Sequence, residues 1–522
     1  MKRLKISALL MALLMVVSAC GGGSGNSGGT AGNTNAGGNG GGSAVVDAEA
    51  GARDDLTLSL WFEPLSISTA FSNNTVGNLV SNQICEPLVQ LNSDGSVSPL
   101  LASSWEFVND GKDIEFELRS DVTFSNGDPL TADDVVFTYD TAMSAGIINN
   151  ITGVMEKMEK IDDTHVRLTF QQVYGPALLC VASLGIFPQS AYEANADAFS
   201  RNPVGSGPYK LVAWNTGDSI VLTANENYWG GAPAIKDVTF KIITDDTAAA
   251  IALESGEIDV LTKVPSTELT RLQNNSNLQI SSVESLNGTW IFFNHEGIFA
   301  DEKVRLAVAY ALNKDDIMVG ATDGNGNVAQ TIFPSFMEAV DPDYVAPTND
   351  PEKAKQLLAE AGYPNGFDVN VKVSNDSATS RALEVAANQL AQVGINITIE
   401  KIDSSVWATD VFETGDYTLG IVNNTLAWPD MDDMNIFYRS GAFLNMGHVE
   451  YDDLDVLWDG LRSTAAGPER TQIGYELCRY LGDHGITVPL YSTNNSIAAS
   501  GNLKGISACS SPSQYLIMGW SW

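Results

Sequence analysis

The residues from Asn349 to Ile402 alternate twice between a helical and an extended pattern. The first helical segment begins at the capping residue Asp350, carries apolar residues at helical spacing and stops at Gly362. Apolar side chains then occupy alternate positions from Phe367 to Val373, which indicates a strand. The same pair of patterns follows again before Ile402. The order helix, strand, helix, strand predicts an α/β fold.

The first half of the chain is richer in extended patterns. The segments predicted as strands are Thr57 to Phe62, Ile114 to Leu118, Val166 to Phe170, Ile220 to Ala224 and Val238 to Ile242. A turn at Asn126 and Gly127 leads to Thr131, which with Asp134 predicts a capped helix start. A chain of 522 residues is too long for one hydrophobic core, so we expect two or three lobes.

The amino-terminal residues predict an anchor rather than a folded element. Three basic residues precede an apolar stretch from Ile6 to Val17, which has the length of a signal-peptide core and is too short to span a membrane. Ser18, Ala19 and Cys20 resemble the lipobox of bacterial lipoproteins, which implies cleavage after residue 19 and acylation of Cys20. Twelve of the 23 residues from 21 to 43 are glycine, so residues 20–53 are predicted to form a flexible tether.

The net charge limits the possible partners of the protein, and the cysteines limit its possible disulfides. A formal net charge of −36 argues against nucleic acid as a partner and against electrostatic docking on anionic lipid. Four cysteines remain besides Cys20, in what is expected to be an oxidising compartment. We predict the disulfides Cys85 with Cys180 and Cys478 with Cys509; four buried free thiols are the alternative.

Several blocks of sequence resemble the extracytoplasmic solute-binding proteins of family 5, the peptide- and nickel-binding class that serves ABC importers. The first block is Pro99 to Asp140, which contains the capped helix start. The others, in the family's order, are Val204 to Phe240, Ala252 to Val260, Ile291 to Ile317 and Ile486 to Ser492. Together they span most of the chain that follows the tether.

The resemblance implies a two-lobe periplasmic-binding-protein-like fold with a hinge, and a protein that acts as a monomer. Lobe I is expected to comprise residues 54–291, with an extra subdomain at about 75–185, and lobe II residues 292–488. Residues 489–522 would return to lobe I. The two crossovers, near Ile291 to Asn294 and Val488 to Ser492, would form the hinge between the lobes.

The ligand is expected at the carboxyl end of the strand predicted from Tyr417 to Val422, where open α/β sheets present ligands. In peptide-binding members of the family, an acidic residue just after a tryptophan pairs with the peptide's α-ammonium. Asp430 matches that position best, and Asp432 and Asp433 are rivals. The candidate aromatic walls of the pocket are Trp428, Trp407 and Trp290.

The sequence offers no catalytic constellation, so an enzyme is not expected. Its four histidines do not form a zinc motif, and no nucleophile elbow lies on a strand-to-helix turn. No cofactor or protein-bound metal is expected either. The resemblance implies a lipid-anchored receptor on the outer face of the cell membrane, or in the periplasm, that delivers peptides to an ABC permease. A nickel chelate, an oligosaccharide or an opine remains open as the ligand, as does a signalling or adhesion role.

Overall fold

The computed structural model describes residues 53–522 except residues 73, 93, 94, 376, 443 and 446. The predicted signal peptide, Cys20 and almost all of the tether therefore lie outside the described residues. Within the described part, the strands are β1 (Asp55–Leu60), β2 (Val89–Leu91), β3 (Val97–Pro99), β4 (Ala102–Val108), β5 (Asp113–Leu118), β6 (Met155–Lys160), β7 (His165–Phe170), β8 (Tyr209–Asn215), β9 (Ser219–Ala224), β10 (Asp237–Ile242), β11 (Val260–Leu261), β12 (Leu278–Phe293), β13 (Gly326–Val328), β14 (Phe367–Ser374), β15 (Ile395–Ile402), β16 (Leu419–Thr425) and β17 (Thr487–Ser500).

Helices lie between most of these strands. They are α1 (Thr75–Ser81), α2 (Ala132–Ala145), α3 (Asn149–Thr152), α4 (Ala177–Ala182), α5 (Gln189–Ala194), α6 (Ala196–Phe199), α7 (Asp246–Ser255), α8 (Ser266–Gln273), α9 (Glu302–Ala311), α10 (Lys314–Thr322), α11 (Pro351–Glu360), α12 (Ser377–Ala391), α13 (Ser404–Thr409), α14 (Asn435–Tyr438), α15 (Asp452–Ser463) and α16 (Pro468–Asp483). The mixed α/β class predicted from the sequence is confirmed.

The α/β rhythm of the second half is present in the structure. The Asp350 carboxylate accepts a hydrogen bond from the Lys353 backbone N–H at 2.9 Å and caps α11. β14 and β15 pair in parallel, as expected for two strands joined by the helix α12. Gly362 and Gly394, which end the two helical segments, have φ angles of 92° and 93°, a backbone region that favours glycine.

The main sheet contains strands from both halves of the chain. Its strand order is β16-β12-β17-β11-β1-β10-β9-β8, with β13 paired to β17. β12 and β17 are the longest strands and run antiparallel to each other from the pair Leu278–Ser500 to the pair Phe292–Thr487. One end of this ribbon pairs with β11, and the other end pairs with β16. The crossover expected at Val488 to Ser492 lies within β17, and the one expected at Ile291 to Asn294 lies at the end of β12.

The ribbon is irregular at its centre, where its register shifts between Glu284 and Gly288. A shift of this kind weakens the ladder locally and bends the strand. The strands that precede it belong to the lobe I side of the sheet, and those that follow it belong to the lobe II side. The hinge between the lobes and the boundaries of the two lobes stay predictions.

A separate body lies beside the lobe I side of the sheet. Its four strands have the order β4-β5-β7-β6 and pack with α2 around a core of their own. Thr131 caps α2, because its side chain accepts from the Asp134 N–H while the Asp134 carboxylate accepts from the Thr131 N–H. This capping box was predicted from the sequence. The body falls in the region predicted as the extra subdomain, and we use that name for it.

The predicted disulfides are wrong, because Cys85, Cys180, Cys478 and Cys509 are free thiols in the structure. Cys85 lies in the core of lobe I, Cys180 in the core of the extra subdomain and Cys478 in a core of lobe II. Burial raises the pKa of the Cys85 thiol to about 12. In each of these cores the buried cysteine packs as a small apolar residue, which does not require a disulfide.

Candidate functional site

The sequence-predicted site lies at the end of β16, on the lobe II side of the molecule. After Thr425 the chain runs through Trp428 into a short 3₁₀ helix, Met431–Met434, and then into α14. Asp430 caps the short helix, because its carboxylate accepts a hydrogen bond from the Asp432 backbone N–H at 2.8 Å. This local bond fixes where the two carboxylates stand relative to each other.

Asp430 is paired with an arginine that the sequence analysis did not identify. The guanidinium of Arg470, at the start of α16, lies 2.7 Å from the Asp430 carboxylate. Both side chains are buried, with exposed fractions of 10% for Arg470 and 7% for Asp430. The Arg470 Nε also donates to the Leu461 carbonyl oxygen at 2.8 Å. The charge of Asp430 is therefore balanced from within the chain.

Asp432 is buried beside Asp430 and has a different set of partners. One of its oxygens, Oδ2, accepts a hydrogen bond from the Tyr174 hydroxyl at 3.1 Å and lies 3.8 Å from the Arg462 Nε. The other oxygen, Oδ1, is buried without a hydrogen-bond partner among the described residues. Burial raises the pKa of Asp432 to about 6, although the positive charge of Arg462 acts in the opposite direction. A buried acceptor without a donor is costly, so this oxygen is a candidate contact for a ligand.

Tyr174 belongs to the extra subdomain, so this cluster of charges spans two bodies. Its ring lies 5.5 Å from the Arg462 guanidinium, and the backbone N–H of Gly175 donates to the Arg462 carbonyl oxygen at 2.8 Å. The Arg462 Nη1 is 3.5 Å from the Asn435 amide oxygen, whereas the Asn435 amide nitrogen is buried without a partner among the described residues. Both carboxylates and both arginines are thus grouped where lobe II meets the subdomain.

Trp428 crosses the same boundary. It follows a lobe II strand but packs in the core of the extra subdomain, and its indole N–H is buried without a described hydrogen-bond partner. Asp433 lies next to this group and accepts a hydrogen bond from the Ala427 N–H at 2.9 Å. The structure therefore brings together Trp428, Asp430 and Asp432 at one interface.

The other two tryptophans proposed as pocket walls lie in the core of lobe II. Trp290 is 1% exposed, and its indole N–H donates to the Tyr438 hydroxyl at 2.6 Å. Trp407 packs edge-on against Phe292, with ring centroids 6.3 Å apart. Both residues serve packing in this structure, and a contact with ligand stays a prediction for each.

Sequence reasoning missed Tyr174, Arg462 and Arg470. The arginines follow Asp430 by 32 and 40 residues, on two helices whose packing angle is not encoded in the local pattern. Tyr174 lies in another body, before α4. One signal was present: the run Tyr174-Gly175-Pro176 marks a tight corner, where a tyrosine is free to project from its own body.

The described residues contain no cluster of histidine, cysteine or acidic side chains arranged to hold a metal ion. Among the same residues, no helix combines the length and the apolar character needed to cross a membrane.

Comparison with known proteins defines the class. The family model of the bacterial extracellular solute-binding proteins, family 5 (middle region), matches residues 96–444, and the chain belongs to this family. It is a solute-binding protein of the kind that serves ABC importers, and not an enzyme.

The similar proteins differ in the ligands that their names record. Heme-binding protein A of Haemophilus influenzae is 29% identical over 421 residues, covering 73% of this chain and 76% of the relative. Glutathione-binding protein GsiB of Escherichia coli K12 is 28% identical over 387 residues, with 73% and 75% covered. The structure of HbpA2 from Haemophilus parasuis superposes with a TM-score of 0.82 at 24% identity, covering 90% of this chain and 99% of that one. This match confirms the predicted two-lobe fold.

Proposed function

We propose that the protein is a membrane-tethered receptor that captures peptides outside the cytoplasm and delivers them to an ABC permease. The observation that carries the proposal is the buried acidic cluster between lobe II and the extra subdomain. Its Asp432 Oδ1, Trp428 Nε1 and Asn435 Nδ2 atoms have no described hydrogen-bond partner. A peptide carries both donors and acceptors and can satisfy groups of both kinds.

The contacts favour Asp432 over Asp430 as the partner of the peptide's ammonium group. The Asp430 carboxylate already has the Arg470 guanidinium at 2.7 Å and the Asp432 N–H at 2.8 Å. The Asp432 Oδ1 atom has an open acceptor position. An ammonium there would form a charge-assisted hydrogen bond of about 1.5 to 3 kcal/mol, enough to fix the polarity of the bound peptide.

Hinge closure is the proposed means of capture. The ligand contacts both sides in the closed form and one side in the open form, so its binding shifts the population toward closure. The bulged ribbon of β12 and β17 supports this mechanism, because it is the irregular part of the sheet that connects the two sides. We propose that the receptor acts as a monomer.

The anchor belongs to the same proposal. Cys20 would carry the lipid, and residues 21–52 would hold the folded part near the outer face of the membrane. The variant Cys20→Ala should appear in the medium or in the periplasm after cell fractionation. A variant that stays with the membranes would contradict lipid anchoring at Cys20.

Native mass spectrometry of the protein purified from rich medium tests the ligand class. We expect bound masses that differ from one another by amino-acid residues. A single bound mass of heme, glutathione, a nickel chelate, an opine or a sugar would replace the peptide with that ligand on the same fold. Heme and glutathione are the ligands recorded in the names of two relatives.

A further inference from the structure

The contact between the extra subdomain and lobe II crosses a boundary that the chain itself does not bridge. The subdomain is connected in sequence to the lobe I strands on both sides, and lobe II is connected through β12 and β17. Rotation at the bulge of this ribbon therefore moves lobe II relative to the subdomain. A contact between these two bodies is lost when they move apart.

Two consecutive residues of the subdomain, Tyr174 and Gly175, form hydrogen bonds across this boundary, and we call them the subdomain corner. The Gly175 N–H binds the Arg462 carbonyl oxygen at 2.8 Å, at the end of α15. The Tyr174 hydroxyl binds Asp432 at 3.1 Å, and its ring faces the Arg462 guanidinium. The subdomain corner thus contacts lobe II at two places, through the backbone of Gly175 and through the side chain of Tyr174.

The fit at Gly175 leaves no room for a side chain. An added Cβ would stand 2.3 Å from the Arg470 Nε, 2.7 Å from the Thr464 carbonyl oxygen and 3.0 Å from the Leu461 carbonyl oxygen. Two of these three atoms are backbone and cannot swing aside. Arg470 is also fixed, because it is bound to Asp430 and to Leu461. Among the amino acids, only glycine allows so close an approach.

We propose that the subdomain corner is a latch that stabilises the closed form of the protein by docking on the connection between α15 and α16. Closure buries Trp428 in the subdomain core and supplies Asp432 with the Tyr174 hydroxyl. Opening removes these contacts together. The latch lowers the free energy of the closed form relative to the open form. A ligand then needs a smaller difference in affinity between the two forms to shift the population to the closed form. This role is independent of the ligand's identity.

Distance measurements between the lobes test the latch. Spin labels at Val212→Cys on β8 and Val319→Cys on α10 would sit on exposed positions, which are 60% and 54% accessible. Double electron–electron resonance on the purified full-length protein would give the populations of short and long distances. We expect Gly175→Ala to lower the ratio of closed to open molecules by at least about tenfold, because the added Cβ would clash with the backbone of lobe II in the closed form.

Two further variants separate the latch from general damage. Gly460→Ala alters the same helix α15, but its Cβ would meet only the Ile473 side chain, at 3.4 Å, so the distances should stay as in the unchanged protein. Tyr174→Phe removes one hydroxyl and should shift the population in the same direction as Gly175→Ala, to a smaller extent. The proposal is overturned if Tyr174→Phe leaves the distance distribution unchanged, or if Gly460→Ala shifts it as far as Gly175→Ala does.

Discussion

Two buried acidic groups in this molecule have opposite surroundings. Glu86 lies in lobe I and accepts hydrogen bonds from the Tyr228 hydroxyl at 2.6 Å, the Trp229 indole at 2.9 Å and the Ser206 hydroxyl at 2.9 Å. All of these donors are neutral, and both carboxylate oxygens have partners. Burial raises the pKa of Glu86, and these hydrogen bonds oppose that rise.

The cluster of Asp430 and Asp432 differs in three respects. Its partners include two arginines. The partners come from two bodies of the molecule, since Tyr174 belongs to the subdomain and the arginines to lobe II. One carboxylate oxygen of the cluster has no described partner. A saturated carboxylate within one body has the features of an internal support. An incomplete cluster between two bodies is a candidate binding site. Burial alone does not distinguish the two, so we infer the role of each group from the origin and completeness of its partners.

The largest expected effect comes from removing the guanidinium that balances Asp430. Arg470→Leu would leave a buried carboxylate unpaired and should lower the free energy of unfolding by about 3 to 5 kcal/mol in chemical denaturation. The matched control is Arg439→Leu, whose pair with Asp459 is exposed and should contribute at most about 1 kcal/mol. Equal losses in the two variants would show that the Asp430 pair is no more than a surface contact.

The protonation of Asp432 should make the stability of the protein depend on pH. Because the folded-state pKa is about 6 and the ordinary value is 3.8, the folded protein holds this proton more tightly than the unfolded chain. The contribution to stability is complete below about pH 4 and is lost as the pH rises to about 6, for a total of about 3 kcal/mol. Subtracting the pH profile of Asp432→Asn from that of the unchanged protein isolates this slope, and a difference that stays constant from pH 4 to 7 would contradict it.

Glu86→Gln should affect stability without affecting ligand binding. The amide nitrogen would face donors in place of one acceptor oxygen, which should cost about 1 to 3 kcal/mol of unfolding free energy. Since every partner of Glu86 lies on the lobe I side, the affinity for a retained ligand should stay unchanged. A loss of affinity with unchanged stability would reverse the roles assigned to the two groups.

The smallest expected effect concerns the four thiols, because none of them forms a disulfide in the structure. Dithiothreitol should leave the melting temperature unchanged, and all four thiols should react with a thiol reagent after denaturation without reductant. A native disulfide would contribute about 2 to 5 kcal/mol to the free energy of unfolding. A clear fall in melting temperature on reduction would therefore show that a disulfide is present.

The helices and strands of the second half could be predicted from the sequence because their signals are local, whereas the two-lobe fold was implied by the resemblance to the family. Asp350, Gly362 and the alternation from Phe367 to Val373 each act within a few residues, and α11, β14, α12 and β15 follow from them. The cysteines could not be placed in this way, because pairing depends on distances between bodies. Their even number was compatible with bridges and with isolated burial alike.

The site could be predicted only in part for the same reason. The carboxylates follow a strand end and a tryptophan, which is a pattern within one segment. Their partners Tyr174 and Arg470 are brought to them by the packing of the subdomain and of α16. The sequence favoured Asp430 as the partner of the ligand, whereas the contacts in the structure favour Asp432. The sequence does not show that the Asp430 carboxylate is paired with an arginine and that one oxygen of Asp432 is not.

The most direct test is the occupancy of bound peptide in the unchanged protein, Asp432→Asn and Glu86→Gln, each incubated with an enzymatic casein digest and measured by native mass spectrometry. We expect peptide masses on the unchanged protein and on Glu86→Gln, and an occupancy at least about tenfold lower on Asp432→Asn. Equal occupancy on Asp432→Asn and the unchanged protein would contradict the assignment of the ligand site to the cluster between lobe II and the subdomain.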